Sequence, residues 1–146
     1  LFRSTLNFNT MENNEITKIT KEELKAKYQF DNVYEPLTFS HYLVNKNGKY
    51  GLYSFSGVEC VPCEMDTIYE PWNGVYCLKQ GDKYGILDQC WNYIAPRFDD
   101  TEIDNNEMLN VLYEGEWGYL TVEGKFIAFE EYNEDEDEGL ISVAPW

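Results

Sequence analysis

The chain has 146 residues, with 27 acidic and 11 basic side chains, so its formal net charge is −16. This length allows one domain with its own core, and the charge argues against binding to nucleic acid phosphates or anionic membranes while favouring basic partners. Solubility alone is the alternative interpretation of the charge. Hydrophobic residues make up 43% and aromatic residues 16% of the chain, which is typical of a globular protein rich in β-strands.

The first residues carry no targeting signal that we recognise. Residues 1–10 precede Met11, and we interpret them as an expression remnant or an upstream extension and leave them out of the fold prediction. The residues after Met11 are polar, unlike a signal peptide, and no stretch approaches the roughly 18 apolar residues of a membrane-spanning helix. We therefore expect a cytoplasmic protein.

A short helix is predicted ahead of the strands. Thr20 followed by Glu23 fits the capping box that begins many helices. Residues 21–28 contain neither glycine nor proline and are rich in strong helix formers. We expect this helix to pack on one end of the β-structure as a terminal cap.

The dominant feature of the sequence is a tandem repeat. Residues 30–36 return as residues 65–71, and a weaker third copy begins at Phe98. Each copy is followed by an aromatic residue and a glycine, and these glycines lie 34 and 33 residues apart: Tyr50-Gly51, Tyr84-Gly85 and Trp117-Gly118. A repeat of this length is one supersecondary unit that buries its apolar face against its neighbours.

Turn signals divide each repeat into three predicted strands. Asn47-Gly48 is a strong hairpin signal because both central residues of a type I′ turn need positive φ. The predicted strands are 41–45, 49–54 and 58–62, then 75–79, 83–88 and 93–95, then 108–113, 116–121 and 125–129, followed by a lone strand at 139–143. We predict an all-β protein in which residues 11–146 form one domain of three antiparallel meander repeats, with units at about 28–62, 63–97 and 98–131.

Two sets of repeated residues are predicted to specify the scaffold. Apolar residues alternate on both sides of the central strands, as Leu52 and Tyr53 do, so these strands should be covered on both faces. The glycine beside the ring should admit a neighbouring side chain or mark a bulge, so Gly85→Val should damage the fold. The repeated acids Asp31, Asp66 and Asp99 are interpreted as turn caps, with a ladder of acids as the alternative.

These motifs resemble the WG-repeat family, also called KWG repeats, which is found mainly in bacteria. The resemblance covers about residues 28–133 and is carried by the segments 48–51, 82–88 and 115–120, together with 61–66 and 94–99. Tyrosine replaces the tryptophan in two copies, and the third copy has Ala128-Phe129 and Asn133 where proline and aspartate are expected. The resemblance implies a β-rich scaffold without shared catalytic residues, used in binding and recognition, and some members look like immunity proteins against bacterial toxins.

Candidate catalytic or metal-binding residues are few. Cys60 and Cys63 have C-x-x-C spacing, but no second such pair follows, and residues three apart on a strand point to opposite faces. We interpret Cys60, Cys63, Cys77 and Cys90 as small buried thiols, with a metal or redox site as the alternative. The single histidine, His41, is interpreted as structural, and we expect a non-enzymatic protein without a cofactor.

The candidate binding residues are an acidic run and two loop tryptophans. Seven of the nine residues from 130 to 138 are acidic: Glu130, Glu131, Glu134, Asp135, Glu136, Asp137 and Glu138. This run is either a solvated loop or a docking surface for a basic partner, and a calcium loop through Asn133, Asp135 and Asp137 is a third alternative. Trp72 and Trp91 fall in predicted loops, where aromatic rings can anchor a partner.

Two functions are compatible with this pattern. The first is an acidic immunity or antitoxin-type inhibitor that occludes a basic bacterial toxin or nuclease. The second is a sensor or ligand-binding module for a small molecule or glycan.

Overall fold

The computed structural model describes residues 17–135 and 139–145. In this part of the chain one helix, α1 (Lys21–Tyr28), precedes twelve strands that form three antiparallel sheets of four sequential strands. Unit 1 contains β1 (Asn32–Tyr34), β2 (Tyr42–Lys46), β3 (Lys49–Tyr53) and β4 (Glu59–Met65). Unit 2 contains β5 (Thr67–Ile68), β6 (Tyr76–Gln80), β7 (Lys83–Leu87) and β8 (Tyr93–Phe98). Unit 3 contains β9 (Asp100–Ile103), β10 (Leu109–Tyr113), β11 (Glu116–Leu120) and β12 (Phe126–Ala128), so the predicted all-β repeat architecture is confirmed.

Two details of the strand prediction are wrong. Each unit has a fourth strand, the short β1, β5 or β9, and a strand of two to four residues is too short to show alternation in the sequence. The predicted strand at 139–143 forms only isolated bridges, from Ser142 to Met108 and from Leu140 to Thr121. Its backbone crosses the ends of unit 3, where the N–H of Leu109 donates to the carbonyl of Ile141 at 3.1 Å.

The helix caps unit 1 as the sequence predicts. The hydroxyl of Thr20 accepts from the N–H of Glu23 at 3.0 Å, and the carboxylate of Glu23 accepts from the N–H of Thr20 at 2.9 Å. Leu24, the next residue of α1, is fully buried with Tyr42 and Tyr53 of unit 1. The capping box therefore positions an apolar side chain that closes one end of the array.

Three apolar clusters hold the layers together. Adjacent residues of β3 face different clusters: Tyr53 packs on the helix side and Leu52 packs between units 1 and 2. The third cluster lies between units 2 and 3 and includes Val143 from the C-terminal segment. The central strands are therefore covered on both faces, and each large apolar side chain buried this way contributes about 2–3 kcal/mol.

The repeated glycines are required by a close approach between backbones. A Cβ at Gly51 would lie 2.6 Å from the carbonyl oxygen of Val61, and one at Gly85 would lie 2.5 Å from that of Ile94. The pairing register of β7 and β8 shifts beside Gly85. The bulge interpretation is correct, and the close neighbour is backbone rather than a side chain, which leaves a larger residue no room to adjust.

Candidate partner-binding surface

The repeated aspartates hold hairpin turns of their own units. The carboxylate of Asp31 accepts from the N–H of Asn47 at 2.8 Å, and that of Asp66 accepts from the N–H of Gly81 at 2.6 Å. These two residues cap turns as predicted, but the expectation of a local cap through nearby amides is wrong, because each capped amide lies in the hairpin between the second and third strands of the unit. The sequence could not show this because the capped turn is 16 or 15 residues farther along the chain.

A lysine from the preceding unit contacts each of two repeated aspartates. The ammonium of Lys49 in unit 1 donates to Asp66 at the start of unit 2, and that of Lys83 in unit 2 donates to Asp99 at the start of unit 3. We call each pair a latch. The hydrogen bond from Lys49, followed by that from the backbone of Gly81, holds the pKa of Asp66 below its ordinary value. The latches therefore join consecutive units through opposite charges.

Unit 3 reverses the charge at the latch position. Glu116 begins β11 where lysine begins the corresponding strands of units 1 and 2. The neighbouring cation is missing as well: in unit 2 Lys79 pairs with Tyr84 and its Nζ lies 5.7 Å from the ring centroid, whereas in unit 3 Leu112 pairs with Trp117. Unit 3 therefore has an acid, Glu116, in place of the latch lysine and an apolar residue, Leu112, in place of Lys79.

Glu116 lies on an aromatic surface at the end of unit 3. A pocket of about 250 Å³ is lined by Glu116, Trp117, Ala128, Phe129 and Glu130. Both carboxylates are exposed and Phe129 is 43% exposed. We call this the end pocket. It combines apolar walls with two acids, which is a composition suited to a cationic side chain with an aliphatic stem.

The surface around the end pocket is the face on which a further sheet would pack. Tyr119 occupies the position of Leu52 and Ile86, which are buried between units. In unit 3 the rings of Phe129 and Tyr132 cover Tyr119, each with its centroid 4.9 Å away. No fourth sheet packs on this face in the part of the chain that the structure describes.

Negative charge is concentrated in the same part of the chain. Residues 98–146 contain 15 acidic residues and one basic residue, Lys125, whereas residues 1–97 contain 12 acidic and 10 basic residues. The described members of the predicted acidic run are all exposed: Glu130, Glu131, Glu134 and Asp135. Glu136, Asp137 and Glu138 lie outside the described residues, and so does the calcium alternative that requires Asp137.

The predicted tryptophans lie elsewhere on the molecule. Trp72 is 56% exposed and lines a groove of about 190 Å³ between units 2 and 3, together with Val143. Trp91 is 50% exposed on the turn between β7 and β8, and its ring lies 4.6 Å from that of His41. Both rings are accessible as predicted, but neither lines the end pocket. The tryptophan that lines it is Trp117, whose place in the repeat had suggested a role in the scaffold.

His41 is buried at the junction of units 1 and 2. Its Nδ1 lies 3.1 Å from the hydroxyl of Tyr76 and 3.2 Å from that of Ser40, and its Nε2 has no hydrogen-bond partner among the described atoms. Burial lowers the pKa of His41 to about 4. A neutral ring held between Tyr76 and Trp91 fits the structural role expected for it.

The cysteines form no disulfide among the described residues. Cys60 packs against the cluster between units 1 and 2, and Cys63 packs on the helix side, so the two thiols face opposite ways as predicted. Burial raises the pKa of Cys60, Cys63 and Cys77. The expectation that all four thiols are buried is wrong, because Cys60, Cys63 and Cys77 are only partly buried and Cys90 is exposed. Asp88 accepts from the N–H of Cys90 at 2.9 Å and holds it on a turn.

A third concave surface lies between units 1 and 2. It is a groove of about 760 Å³ whose apolar lining includes Tyr34, Leu43, Tyr50 and Ile68, with Glu35, Asp66 and Lys21 at polar positions. The sequence did not single it out, because its lining combines strands that are distant in the chain. A groove of this size and lining could hold a small molecule.

The fold and these surfaces define an all-β protein of three stacked repeat units with an acidic, aromatic end. No model of a known protein family matches the chain, and no curated protein or solved structure matches it. Within residues 17–135 and 139–145, no helix has the length and apolar character needed to cross a membrane. The same residues contain no group of three histidine, cysteine, aspartate or glutamate side chains placed to hold a metal ion.

Proposed function

We propose that the chain is a non-enzymatic protein-binding module of the immunity or antitoxin type, which occludes a basic bacterial toxin or nuclease. The observation that carries the proposal is the coincidence of charge and exposure at unit 3. Residues 98–146 have 15 acids against one base, and the aromatic end of the same unit is not covered by another sheet among the described residues. The WG-repeat resemblance supports the same class.

The mechanism follows from the two components of this surface. Exposed carboxylates raise the association rate of a basic partner and lose part of this effect as salt screens them. Partly exposed rings such as Phe129 supply apolar contact area once the partner has docked. Inhibition would then result from covering the basic active surface of the partner rather than from chemistry.

Affinity purification from the source organism, followed by mass spectrometry, tests this proposal with three baits. The first is the wild-type chain, and the second is the acid-run variant Glu131→Gln/Glu134→Gln/Asp135→Asn. The third is a matched control that removes the same number of exposed charges from units 1 and 2: Glu64→Gln/Glu70→Gln/Asp82→Asn. We expect a basic protein to be retained by the wild type and the control and lost by the acid-run variant.

The captured protein is then assayed for activity with and without the chain. Under our proposal, stoichiometric wild-type chain suppresses nuclease or toxin activity and restores the growth of cells that express the partner. Retention of no basic protein, or equal retention by all three baits, would contradict the binding proposal. A partner that binds but keeps its activity would contradict the inhibitor proposal.

The groove between units 1 and 2 favours a second candidate function, recognition of a small molecule or glycan. Tyr34 and Tyr50 can stack on a ligand there, and Glu35 and Asp66 can accept its hydrogen bonds. None of the residues found to line this groove is a tryptophan. A thermal-shift screen is therefore a better test than tryptophan fluorescence. It compares the wild type with Tyr34→Ala, and a true ligand raises the melting temperature of the wild type alone.

A further inference from the structure

We propose that the end pocket receives a single lysine or arginine side chain of the partner protein, with Glu116 and Glu130 binding its charge and Trp117 and Phe129 packing on its stem. This inference rests on the proposed function and names the contact that would fix the position of the partner. It follows from comparing equivalent positions of the three units.

The internal latches are the first step of the argument. In units 1 and 2 the residue that begins the third strand is a lysine, and it reaches the aspartate that begins the next unit. The strand register places each lysine opposite the aspartate that directly follows the neighbouring strand of its own sheet. In unit 3 the residue at the lysine position is Glu116, and the acid that follows β12 and lines the same pocket is Glu130. Two like charges therefore replace the opposite pair, and a cation between them would neutralise both.

The aromatic residue beside the latch is the second step. The ring after the latch lysine is already approached by a cation within unit 2, since the Nζ of Lys79 lies 5.7 Å from the centroid of Tyr84. Leu112 replaces that lysine opposite Trp117. An ammonium or guanidinium over the Trp117 ring would restore the cation–π contact from outside the chain, and tryptophan is the ring that binds cations best.

The composition of the pocket is the third step. Its walls come from Trp117, Ala128 and Phe129, and its two charged groups are both carboxylates. Lysine and arginine cover apolar surface with their stems while their charged ends stay near water or an acid. An uncharged apolar side chain would leave the carboxylates unpaired, and an acidic side chain would be repelled.

Tryptophan fluorescence can test the pocket directly, because Trp117 lines it. The chain carrying Trp72→Phe, Trp91→Phe and Trp146→Phe retains Trp117 as its one tryptophan. The probes are blocked tripeptides of glycine, a central residue and glycine, with lysine, arginine, norleucine or glutamate at the centre. We expect saturable changes with lysine and arginine, and binding at least about tenfold weaker with norleucine and glutamate.

Variants that remove one charge each distinguish binding in the end pocket from general electrostatic attraction to the chain. Glu116→Gln and Glu130→Gln should each weaken lysine-peptide binding by about three- to tenfold, as expected for the loss of a charged hydrogen-bond acceptor. Glu123→Gln removes the same charge from an exposed turn of unit 3 outside the pocket and should change binding by less than about twofold. Equal effects at all three positions, or equal binding of the lysine and norleucine peptides, would overturn the proposal.

Two further measurements distinguish the occupant. If a captured basic partner binds Glu116→Gln/Glu130→Gln as tightly as the wild type, the pocket assignment is wrong while the proposed function stands. A second copy of the chain is the other possible source of the cation, through the lysines Lys21, Lys25 and Lys27 of α1. Light scattering of the wild type should give a monomer mass that is independent of concentration, and a mass that rises with concentration and falls in Lys25→Ala would overturn the assignment to a partner.

Discussion

The junctions inside the array and the end of unit 3 use equivalent positions for different purposes. At the junctions Lys49 and Lys83 pair with the aspartates that begin the next unit. On the same strands Leu52 and Ile86 are buried against a neighbouring sheet. At the end of unit 3 the position of the two lysines is occupied by Glu116, and the adjoining rings are partly exposed. The comparison indicates that residues which keep the repeat pattern specify the scaffold, whereas those that depart from it lie on the end that we propose as the partner-binding surface.

The largest expected effect is at a junction glycine. Gly85→Val places a side chain against the backbone of residues 94–96, so we expect a loss of more than about 3 kcal/mol in the free energy of unfolding. The control Gly81→Ala meets nothing within 4 Å, and its φ of +63° should cost only about 1–2 kcal/mol. Urea unfolding followed by circular dichroism measures both, and similar midpoints would contradict the close-approach account.

A smaller effect is expected from lowering the pH, through His41 at the junction of units 1 and 2. The folded chain holds the pKa of His41 at about 4, below the value of about 6.5 expected when it is unfolded. Above about pH 7 both states are neutral, and as the pH falls toward about 4 the unfolded chain binds a proton that the folded chain rejects. The free energy of unfolding should therefore decrease by about 3 kcal/mol over this range from His41 alone.

Carboxylates titrate in the same pH range, so the contribution of His41 is measured as the difference in unfolding free energy between the wild type and a variant without the histidine. His41→Phe keeps a ring beside Tyr76 and Trp91 but cannot be protonated. We expect the wild-type chain to lose stability relative to this variant as the pH falls from about 7 to about 4. A difference that does not change with pH would show that His41 has the same pKa in the folded and unfolded chain, which would contradict the lowered pKa of the buried ring.

The smallest expected effect concerns the latches. Lys83→Glu places a second carboxylate beside Asp99 and should lower the urea midpoint slightly, more at low salt than at high salt. Glu116→Lys makes the opposite change beside Glu130 and should not lower the midpoint. Equal shifts in the two variants would contradict the distinction between junction and end.

The sequence predicted the scaffold better than the surface. Spaced pairs such as Tyr50-Gly51 and turns such as Asn47-Gly48 predict hairpins because their chemistry is local. The short β1, β5 and β9 were missed because their residues pair with a strand several residues later and show no alternation of their own. The sequence also did not reveal which amides Asp31 and Asp66 cap, because each capped turn is distant in the chain from its aspartate.

The end pocket had a signal in the sequence that was not used. Aligning Lys49, Lys83 and Glu116 shows the reversed charge without any structure. The significance of the reversal depended on the structure, because only the fold shows that the two lysines reach the next unit. The acidic run was found from composition, whereas its neighbour Trp117 was assigned to the scaffold because it repeats.

The association rate of the captured basic partner tests the central claim most directly. Stopped-flow measurements would compare the wild type, the acid-run variant and the matched control between about 50 mM and about 500 mM salt. We predict that the acid-run variant associates several-fold more slowly at low salt and depends less on salt than the wild type, while the matched control follows the wild type. Rates that ignore salt, or equal slowing of both variants, would contradict a docking surface at the end of unit 3.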